Sequence, residues 1–268
     1  GGEWRRAVEF LTELETGTVE PTVVTYSSAI SACEKAGEWR SALALLAEMK
    51  GRSLEANAIA YNAAISACGR GQEWQLALSL LTEMQLNRVK PDIITCNALI
   101  SACEKRWQHA LGLLTEIQSC TLKPNVITYS AVITAFEKGD EWQKALALLI
   151  DMQKMRLSPN VITYSATISA CEKGGEWEQA LDVLTGMKRS LLVPDMVTCS
   201  AAISACEKGG EWKQALDLLT DMMWRRLELD LVTYNAAISA CSRGEEWQKA
   251  LGLLAQVRWS GLQPDIIT

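Results

Sequence analysis

Tryptophan recurs along this chain at an almost constant interval, and this periodicity constrains the fold more than any other feature. The recurring residues are Trp4, Trp39, Trp74, Trp107, Trp142, Trp177, Trp212 and Trp247, which are 35 residues apart except for one interval of 33. A period of this length is typical of a solenoid, because one unit cannot bury its own apolar face and must stack on its neighbours. The sequence therefore predicts a single array with full repeats at 23–57, 58–92, 93–125, 126–160, 161–195, 196–230 and 231–265, and partial repeats at 1–22 and 266–268.

Two helices are predicted in each repeat. The first is expected to open after a threonine N-cap such as Thr25, Thr128 or Thr163, and its apolar residues recur at i, i+3, i+4 and i+7. A glycine turn such as Ala36-Gly37 ends this helix, and the second helix begins near the tryptophan. The pattern predicts an all-α fold built from 35-residue helix-turn-helix repeats.

The recurring cysteines and tryptophans favour packing over chemistry. Six cysteines share one place on the first helix, namely Cys33, Cys68, Cys103, Cys171, Cys206 and Cys241. Because this place lies on the apolar stripe, buried thiols are favoured over metal ligands or redox groups. The tryptophans lie in phase with the apolar face of the second helix, which favours core packing, with base stacking as the alternative. His109 is the only histidine, and we interpret it as a surface residue.

The recurrent motif resembles the pentatricopeptide repeat over the whole chain. It reads Val-Thr-Tyr-Asn/Ser, then Ala-Leu, Leu-Leu and Met, and closes with Pro-Asp/Asn. The related tetratricopeptide repeat has 34 residues and a different signature. The resemblance is to the pure P type, and it implies a right-handed α-solenoid superhelix that binds single-stranded RNA at one base per repeat.

In that family, the fifth and the last residue of each repeat select the base. Aspartate at the last place suits the protonated ring nitrogen of G and U, whereas the amide of asparagine suits the bare ring nitrogen of A and C. A small hydroxyl at the fifth place resembles the purine choice, and asparagine the pyrimidine choice. The implied pairs are Ser27 with Asn57 for A, Asn62 with Asp92 for U, Asn97 with Asn125 for C, Ser130 with Asn160 for A, Ser165 with Asp195 for G, Ser200 with Asp230 for G, and Asn235 with Asp265 for U. With the first repeat toward the 5′ end, the implied site is 5′-AUCAGGU-3′.

Two further rows of residues have roles that the resemblance implies. The aliphatic row, the second residue of each repeat, is Val24, Ile59, Ile94, Ile127, Ile162, Val197, Val232 and Ile267. Its side chains are expected to sandwich the bases, although an apolar residue at a helix start can also staple the first turn. The basic row, the thirteenth residue, is Lys35, Arg70, Lys105, Lys138, Lys173, Lys208 and Arg243. It is expected to contact RNA phosphates, with solvated charge or interaction with a helix C-terminus as alternatives.

The predicted function is RNA binding without catalysis. A net charge of −6 and a pI near 5.1 are unusual for a nucleic-acid-binding protein, and they keep a peptide- or protein-binding scaffold as the alternative. A zinc deaminase needs His-x-Glu and Cys-x-x-Cys, whereas this sequence has one histidine and no such cysteine pair. No cofactor, metal or membrane span is predicted. The Asp and Asn residues that close the repeats have a second interpretation, as helix N-caps.

The resemblance also implies a cellular setting. It indicates a monomer in the chloroplast or mitochondrion that acts in RNA processing, stabilisation or translation, with other RNA-processing proteins as further partners. Because the chain begins at Gly1 rather than at methionine, we expect a fragment whose targeting segment is not seen.

Overall fold

The computed structural model describes residues 3–16, 20–119 and 122–259. Within these ranges the chain forms fifteen α-helices and no strand, which confirms the predicted all-α class. The helices are α1 (Glu3–Thr16), α2 (Val23–Ala36), α3 (Trp39–Gly51), α4 (Ala58–Arg70), α5 (Trp74–Leu86), α6 (Ile93–Ala102), α7 (Trp107–Ser119), α8 (Val126–Lys138), α9 (Trp142–Lys154), α10 (Val161–Gly174), α11 (Trp177–Arg189), α12 (Met196–Gly209), α13 (Trp212–Trp224), α14 (Leu231–Arg243) and α15 (Trp247–Trp259).

The first helix of each repeat begins earlier than predicted. Thr25 and Thr163 are the third residues of α2 and α10, whose N-caps are Thr22 and Asn160. Thr128 is likewise the third residue of α8, and its backbone N–H donates to Asn125 Oδ1 at 3.0 Å. The prediction of threonine N-caps at these positions is therefore wrong. The residue that closes the preceding repeat supplies the capping oxygen instead.

The turn between the two helices has the predicted glycine geometry. α2 ends at Ala36, and Gly37 follows with φ of 77°, a left-handed conformation that glycine adopts without steric cost. Its N–H donates to the carbonyls of Cys33 and Glu34, so two of the free carbonyls at the end of α2 are satisfied.

The chain divides into two compact units, Gly1–Ala135 and Phe136–Thr268. In the first unit, the first helices of successive repeats pack side by side, α2 against α4 and α4 against α6. In the second unit, α10 packs against α12 and α12 against α14 in the same way. The second helices pack on the first helices of their own and the following repeat, so each core is continuous across repeats.

The six recurring cysteines are fully buried in these cores, as predicted. Burial raises the pKa of Cys171 and Cys206 to about 12 because it penalises the thiolate, and the charges of Glu176 and Glu211 raise it further. These thiols therefore remain protonated and act as small apolar side chains.

The recurring tryptophans pack between repeats. A Cβ atom placed on Gly71 would lie 2.3 Å from Cδ1 of Trp39 in the preceding repeat, so no larger residue fits there without movement. The same contact joins Gly174 with Trp142, Gly209 with Trp177 and Gly244 with Trp212. These four tryptophans are thus half-buried packing residues whose partner is the fourteenth residue of the following repeat, whereas Trp247 is 64% exposed.

In the shortened repeat, 93–125, other side chains take the place of the glycine that contacts the preceding tryptophan. α6 ends at Ala102, and Arg106 and His109 cover the Trp74 ring. The guanidinium of Arg106 lies 5.8 Å from the ring centroid, and the His109 ring lies 4.8 Å away and tilted by 53°. The exposed His109 therefore has a packing role that its residue type alone did not indicate.

Candidate nucleic-acid interface

A groove of about 760 Å³ runs along the first helices of the first unit. It is lined by members of the aliphatic row (Ile59, Ile94, Ile127) and by fifth-position residues (Asn62, Asn97), together with Glu34 and Arg70. Residues that the sequence assigns to separate repeats thus share one surface. No tryptophan lines the groove, so base stacking on the recurring tryptophans has no support here.

The aliphatic row is exposed in both units. Relative exposure is 70% at Val24 and 58% at Val197, and the other five described members of the row have values between these two. Each is the second residue of its helix rather than a residue preceding the N-cap, so its position and exposure do not fit a hydrophobic staple. A regular row of exposed apolar side chains is typical of a contact surface. Ile267 lies outside the described residues.

In the first unit, the fifth and the last residue of each repeat lie together. Ser27 Oγ lies 3.2 Å from Asn57 Oδ1, and Asn62 Nδ2 donates to Asp92 Oδ1 at 3.2 Å. Asn97 and Asn125 are joined through Thr128, whose Oγ1 lies 2.7 Å from Asn97 Oδ1 and 3.1 Å from Asn125 Oδ1.

In the second unit, Ser200 and Asp230 are joined in the same way. Thr233 Oγ1 lies 3.1 Å from Ser200 Oγ and 2.6 Å from Asp230 Oδ1. Asp195 caps α12, whereas the described hydrogen bonds do not join it to Ser165. Of the remaining predicted residues, Ser130 lies on α8, Asn160 caps α10, Asn235 lies on α14, and Asp265 is outside the described residues.

The last residue of each repeat has two terminal atoms, and capping uses one of them. Oδ1 of Asn57 accepts from the Ala60 N–H at 2.9 Å, and Oδ1 of Asp195 accepts from the Thr198 N–H at 2.9 Å. No described hydrogen bond involves Nδ2 of Asn57 or Oδ2 of Asp195, so these second atoms are able to contact another molecule. The two interpretations of these residues, as helix caps and as base-contacting groups, are therefore compatible.

Asp92 is held in its ionised form by its surroundings. Burial acts to raise its pKa, but hydrogen bonds, foremost that from the Thr95 backbone N–H and also those from the Asn62 amide and the Ile94 N–H, outweigh burial and lower the pKa below its usual value. A carboxylate at this position can accept a hydrogen bond from a ligand but cannot donate one.

The basic row is more constrained than predicted. Arg70 pairs with Glu34 at 2.8 Å, Lys173 with Glu137 at 2.7 Å, Lys208 with Glu172 at 2.7 Å, and Arg243 with Glu207 at 2.9 Å. Each of these cations also donates to a backbone carbonyl near the end of the preceding first helix. This geometry matches the alternative of a helix C-terminal interaction. Lys105 donates to Gln72 at 2.7 Å, while Lys35 and Lys138 lie in the last turns of α2 and α8.

Two sets of residues in this region have roles that were missed from the sequence. One is the glutamate at the twelfth place of several repeats, which stands directly before the basic row and neutralises part of its charge. The other is the threonine at the third place of the first helix, predicted only as an N-cap, which at Thr95, Thr128 and Thr233 contacts both the fifth and the last residue of the preceding repeat. Both sets recur at the 35-residue interval, so their spacing was visible, but the partners across the repeat boundary were not.

Two further observations concern metal binding and membrane-spanning helices. In the ranges that the structure describes, His, Cys, Asp and Glu side chains form no group of three that would hold a metal ion. Across the same ranges, none of the helices combines the length and apolar character that crossing a bilayer requires.

Comparison with known families identifies repeats over most of the chain. The PPR repeat family model matches residues 21–70, 56–105, 124–173 and 194–243, and the PPR repeat model matches residues 162–190 and 232–262. No curated protein sequence matches the chain.

Among solved structures, the chain is similar to the pentatricopeptide repeat protein PPR10 of maize in complex with an 18-nt psaJ RNA element. Sequence identity is 19% and the TM-score is 0.52, over 99% of this chain and 49% of PPR10. It is also similar to the PPR domain of Arabidopsis thaliana protein-only RNase P 1 in complex with tRNA, at 17% identity and a TM-score of 0.58, over 69% of this chain and 95% of that domain. The chain spans about half the length of PPR10, and at these identities the similarity establishes the α-solenoid fold.

Proposed function

Because the chain belongs to the pentatricopeptide repeat family, we propose that it binds single-stranded RNA, with one base contacted by each repeat. The observation that carries this proposal is the arrangement at the repeat boundaries of the groove. There, fifth and last side chains lie within hydrogen-bond distance of each other or of one shared threonine, beside exposed aliphatic residues. Flat bases fit between the aliphatic side chains, while the polar pair addresses the base edge.

The polar atoms left free in the first unit match the proposed bases. Uracil presents an acceptor at O2 and a donor at N3, and the Asn62–Asp92 pair offers an amide N–H and a carboxylate oxygen. Cytosine presents acceptors at both O2 and N3, and the Asn97–Asn125 pair offers two amide groups whose carbonyl oxygens are already occupied. These pairings support U and C as the second and third bases of 5′-AUCAGGU-3′.

The purine positions follow the same chemistry. Guanine presents a donor at N1, and the carboxylates of Asp195 and Asp230 accept hydrogen bonds. Ser165 and Ser200 leave more room for a purine than asparagine would. The seventh base, U, depends on Asp265 and thus on the sequence pattern alone.

A direct test is titration of labelled RNA that carries AUCAGGU in an unstructured context. A base-scrambled RNA and the single-stranded DNA of the same sequence serve as comparisons. We expect tighter binding of AUCAGGU than of either. Equal binding of AUCAGGU and the scrambled RNA, at low as well as moderate salt, would refute the assignment of bases.

Exchange of the last residues gives a second test. The double variant Asp195→Asn with Asp230→Asn is expected to prefer AUCAAAU, because an amide donates to the bare N1 of adenine. Asp182→Asn with Asp217→Asn is the matched control, since both residues are exposed on the second helices of the same two repeats. That control changes the charge equally and should still prefer AUCAGGU.

The cellular role belongs to this proposal as well. A protein that covers seven consecutive bases can protect an RNA from nucleases or keep a segment unpaired, which is how we place it in RNA processing, stabilisation or translation. The family resemblance favours a chloroplast or mitochondrial location.

A further inference from the structure

A buried threonine connects the two base-contacting side chains across a repeat boundary. Thr95 and Thr128 are the third residues of α6 and α8, and both are fully buried. Thr95 Oγ1 lies 2.6 Å from Asn62 Oδ1, and Thr128 Oγ1 lies 2.7 Å from Asn97 Oδ1. Each hydroxyl has one proton and lies closer to the asparagine Oδ1 than to Asp92 Oδ1 at 3.0 Å or Asn125 Oδ1 at 3.1 Å, so we assign the proton to the amide carbonyl in both cases.

Each threonine also holds the last residue of the same repeat. Thr128 Oγ1 accepts from the Asn125 backbone N–H at 3.1 Å, and the Thr128 N–H donates to Asn125 Oδ1 at 3.0 Å. Thr95 makes the equivalent contacts with Asp92 at 3.1 and 2.8 Å. The threonine of one repeat therefore fixes both polar side chains that close the repeat before it.

The orientation of the asparagine amide depends on this hydroxyl. A side-chain amide can turn by 180° about its last bond, which exchanges a donor for an acceptor in the same volume. With Oδ1 of Asn97 held by Thr128, the NH₂ group is left for the groove that Asn97 lines. If the amide turned over, its oxygen would face O2 of a pyrimidine and repel it.

We infer that Thr95 and Thr128 are positioning residues for base choice, so that the base bound by a repeat depends on three side chains, one of which belongs to the following repeat. This inference rests on the proposed function and specifies how its fifth-position asparagines act. It assigns a role to residues that contact neither base nor phosphate.

The two boundaries differ in how strongly they depend on the threonine. The Asn62 amide also donates to the Asp92 carboxylate, which would repel the Asn62 oxygen and so keeps the amide in place by itself. Asn97 lies beside Asn125, a neutral amide without that effect. Removal of the threonine hydroxyl should therefore reduce the selectivity for the third base more than the selectivity for the second base.

The test measures the preference of the third repeat for a pyrimidine. Binding of AUCAGGU and AUAAGGU is compared for the wild-type chain, Thr128→Val and Thr128→Ser. We expect the ratio of the two dissociation constants to fall about threefold to tenfold in Thr128→Val, the effect of one hydrogen bond. Thr128→Ser keeps the hydroxyl and should restore the ratio.

Thr25→Val is the matched control. Thr25 is also a third residue and makes the same reciprocal capping contacts with Thr22, but none of its described hydrogen bonds reaches a fifth-position residue. The Thr25→Val variant should be less stable because a helix-capping contact is lost, and it should keep the wild-type ratio of the two dissociation constants. Thr128→Ala is a second variant, because Ala60 already occupies the third place in α4 and the fold accepts it there.

The outcomes separate this inference from the proposed function. A lower ratio in Thr128→Val and Thr128→Ala, with rescue by serine, supports the inference. If the threonine had a purely structural role, its substitution would weaken the binding of both RNAs equally and leave the ratio of their dissociation constants unchanged. That result would overturn the inference while the proposed function stands. If the wild-type chain does not distinguish AUCAGGU from a scrambled RNA, the proposed function fails and this inference fails with it.

Discussion

The glutamates beside the basic row should weaken the salt dependence of RNA binding, and their removal should restore it. Glu172 and Glu207 pair with Lys208 and Arg243 at 2.7 and 2.9 Å, and these cations remain 40% and 52% exposed. A phosphate can therefore reach them but must compete with a carboxylate already in contact. The perturbation is the double variant Glu172→Gln with Glu207→Gln, which removes both negative charges and preserves the side-chain volume.

The magnitude follows from the number of paired cations. Each phosphate contact contributes about −0.7 to the slope of log K against log salt concentration for single strands. Phosphate contacts by all seven cations would give about −5, and each of the four described ion pairs that keeps its cation from phosphate makes the slope about 0.7 shallower. The double variant releases two cations, so its slope should steepen by about 1.4.

The assay is fluorescence anisotropy with AUCAGGU at a series of salt concentrations. Glu116→Gln with Glu178→Gln is the control, because both residues are exposed on second helices and the net charge changes equally. Its slope should match the wild type. An unchanged slope in Glu172→Gln with Glu207→Gln would refute the reasoning, since it would show that Lys208 and Arg243 do not contact phosphate even when released.

Three further predictions concern stability and pH. Gly209→Ala should lower the free energy of unfolding by about 1–3 kcal/mol because the new methyl group would overlap Trp177. Gly112→Ala should raise the free energy of unfolding by about 0.5–1 kcal/mol because open space surrounds Gly112 in α7. Urea titration of both variants measures the two changes. Gln72 has φ of 62°, so Gln72→Gly should raise the thermal midpoint, and a lower midpoint would contradict the assignment of strain. Because the pKa of Asp92 is lowered on folding, the ionised side chain stabilises the fold above the usual aspartate pKa, and this stabilisation is lost as the pH falls through the lowered pKa. In acid titrations, the Asp92→Asn variant should not show this pH-dependent decrease in the free energy of unfolding.

The fold was largely predictable because it follows from local patterns that recur. The 35-residue interval fixed the number of hairpins, the i, i+3, i+4 spacing fixed their apolar faces, and glycine marked the turn at Gly37. The start of the first helix was misplaced because Thr25 is itself a good N-cap residue. The side chain that caps belongs to the end of the preceding repeat, and residue preference alone cannot choose between two capping residues three positions apart.

The members of the candidate site stay a prediction from the sequence, whereas its electrostatics could not be predicted. Fifth, last and second residues were assigned by their places in the repeat, and in the structure Asn62 contacts Asp92 and lines the groove together with Ile94. The pairing of Lys208 with Glu172 was not foreseen, because these residues are 36 positions apart and meet only when repeats stack. Interactions across a repeat boundary depend on how adjacent hairpins are offset, and a one-dimensional pattern does not contain that offset.

Helix capping restricts which residues can close a repeat and still contact a base. The residue must supply an oxygen to the N–H groups at the start of the next helix, which favours Asn, Asp, Ser and Thr. Of these, only Asn and Asp carry a second polar atom. Thr22 illustrates the difference, since its single hydroxyl lies 3.4 Å from the Thr25 N–H in the capping contact and leaves no amide or carboxylate atom for a base. Stability of the helix start and the proposed base contact therefore favour the same two residue types, and at this position they differ only in whether the second atom donates or accepts a hydrogen bond.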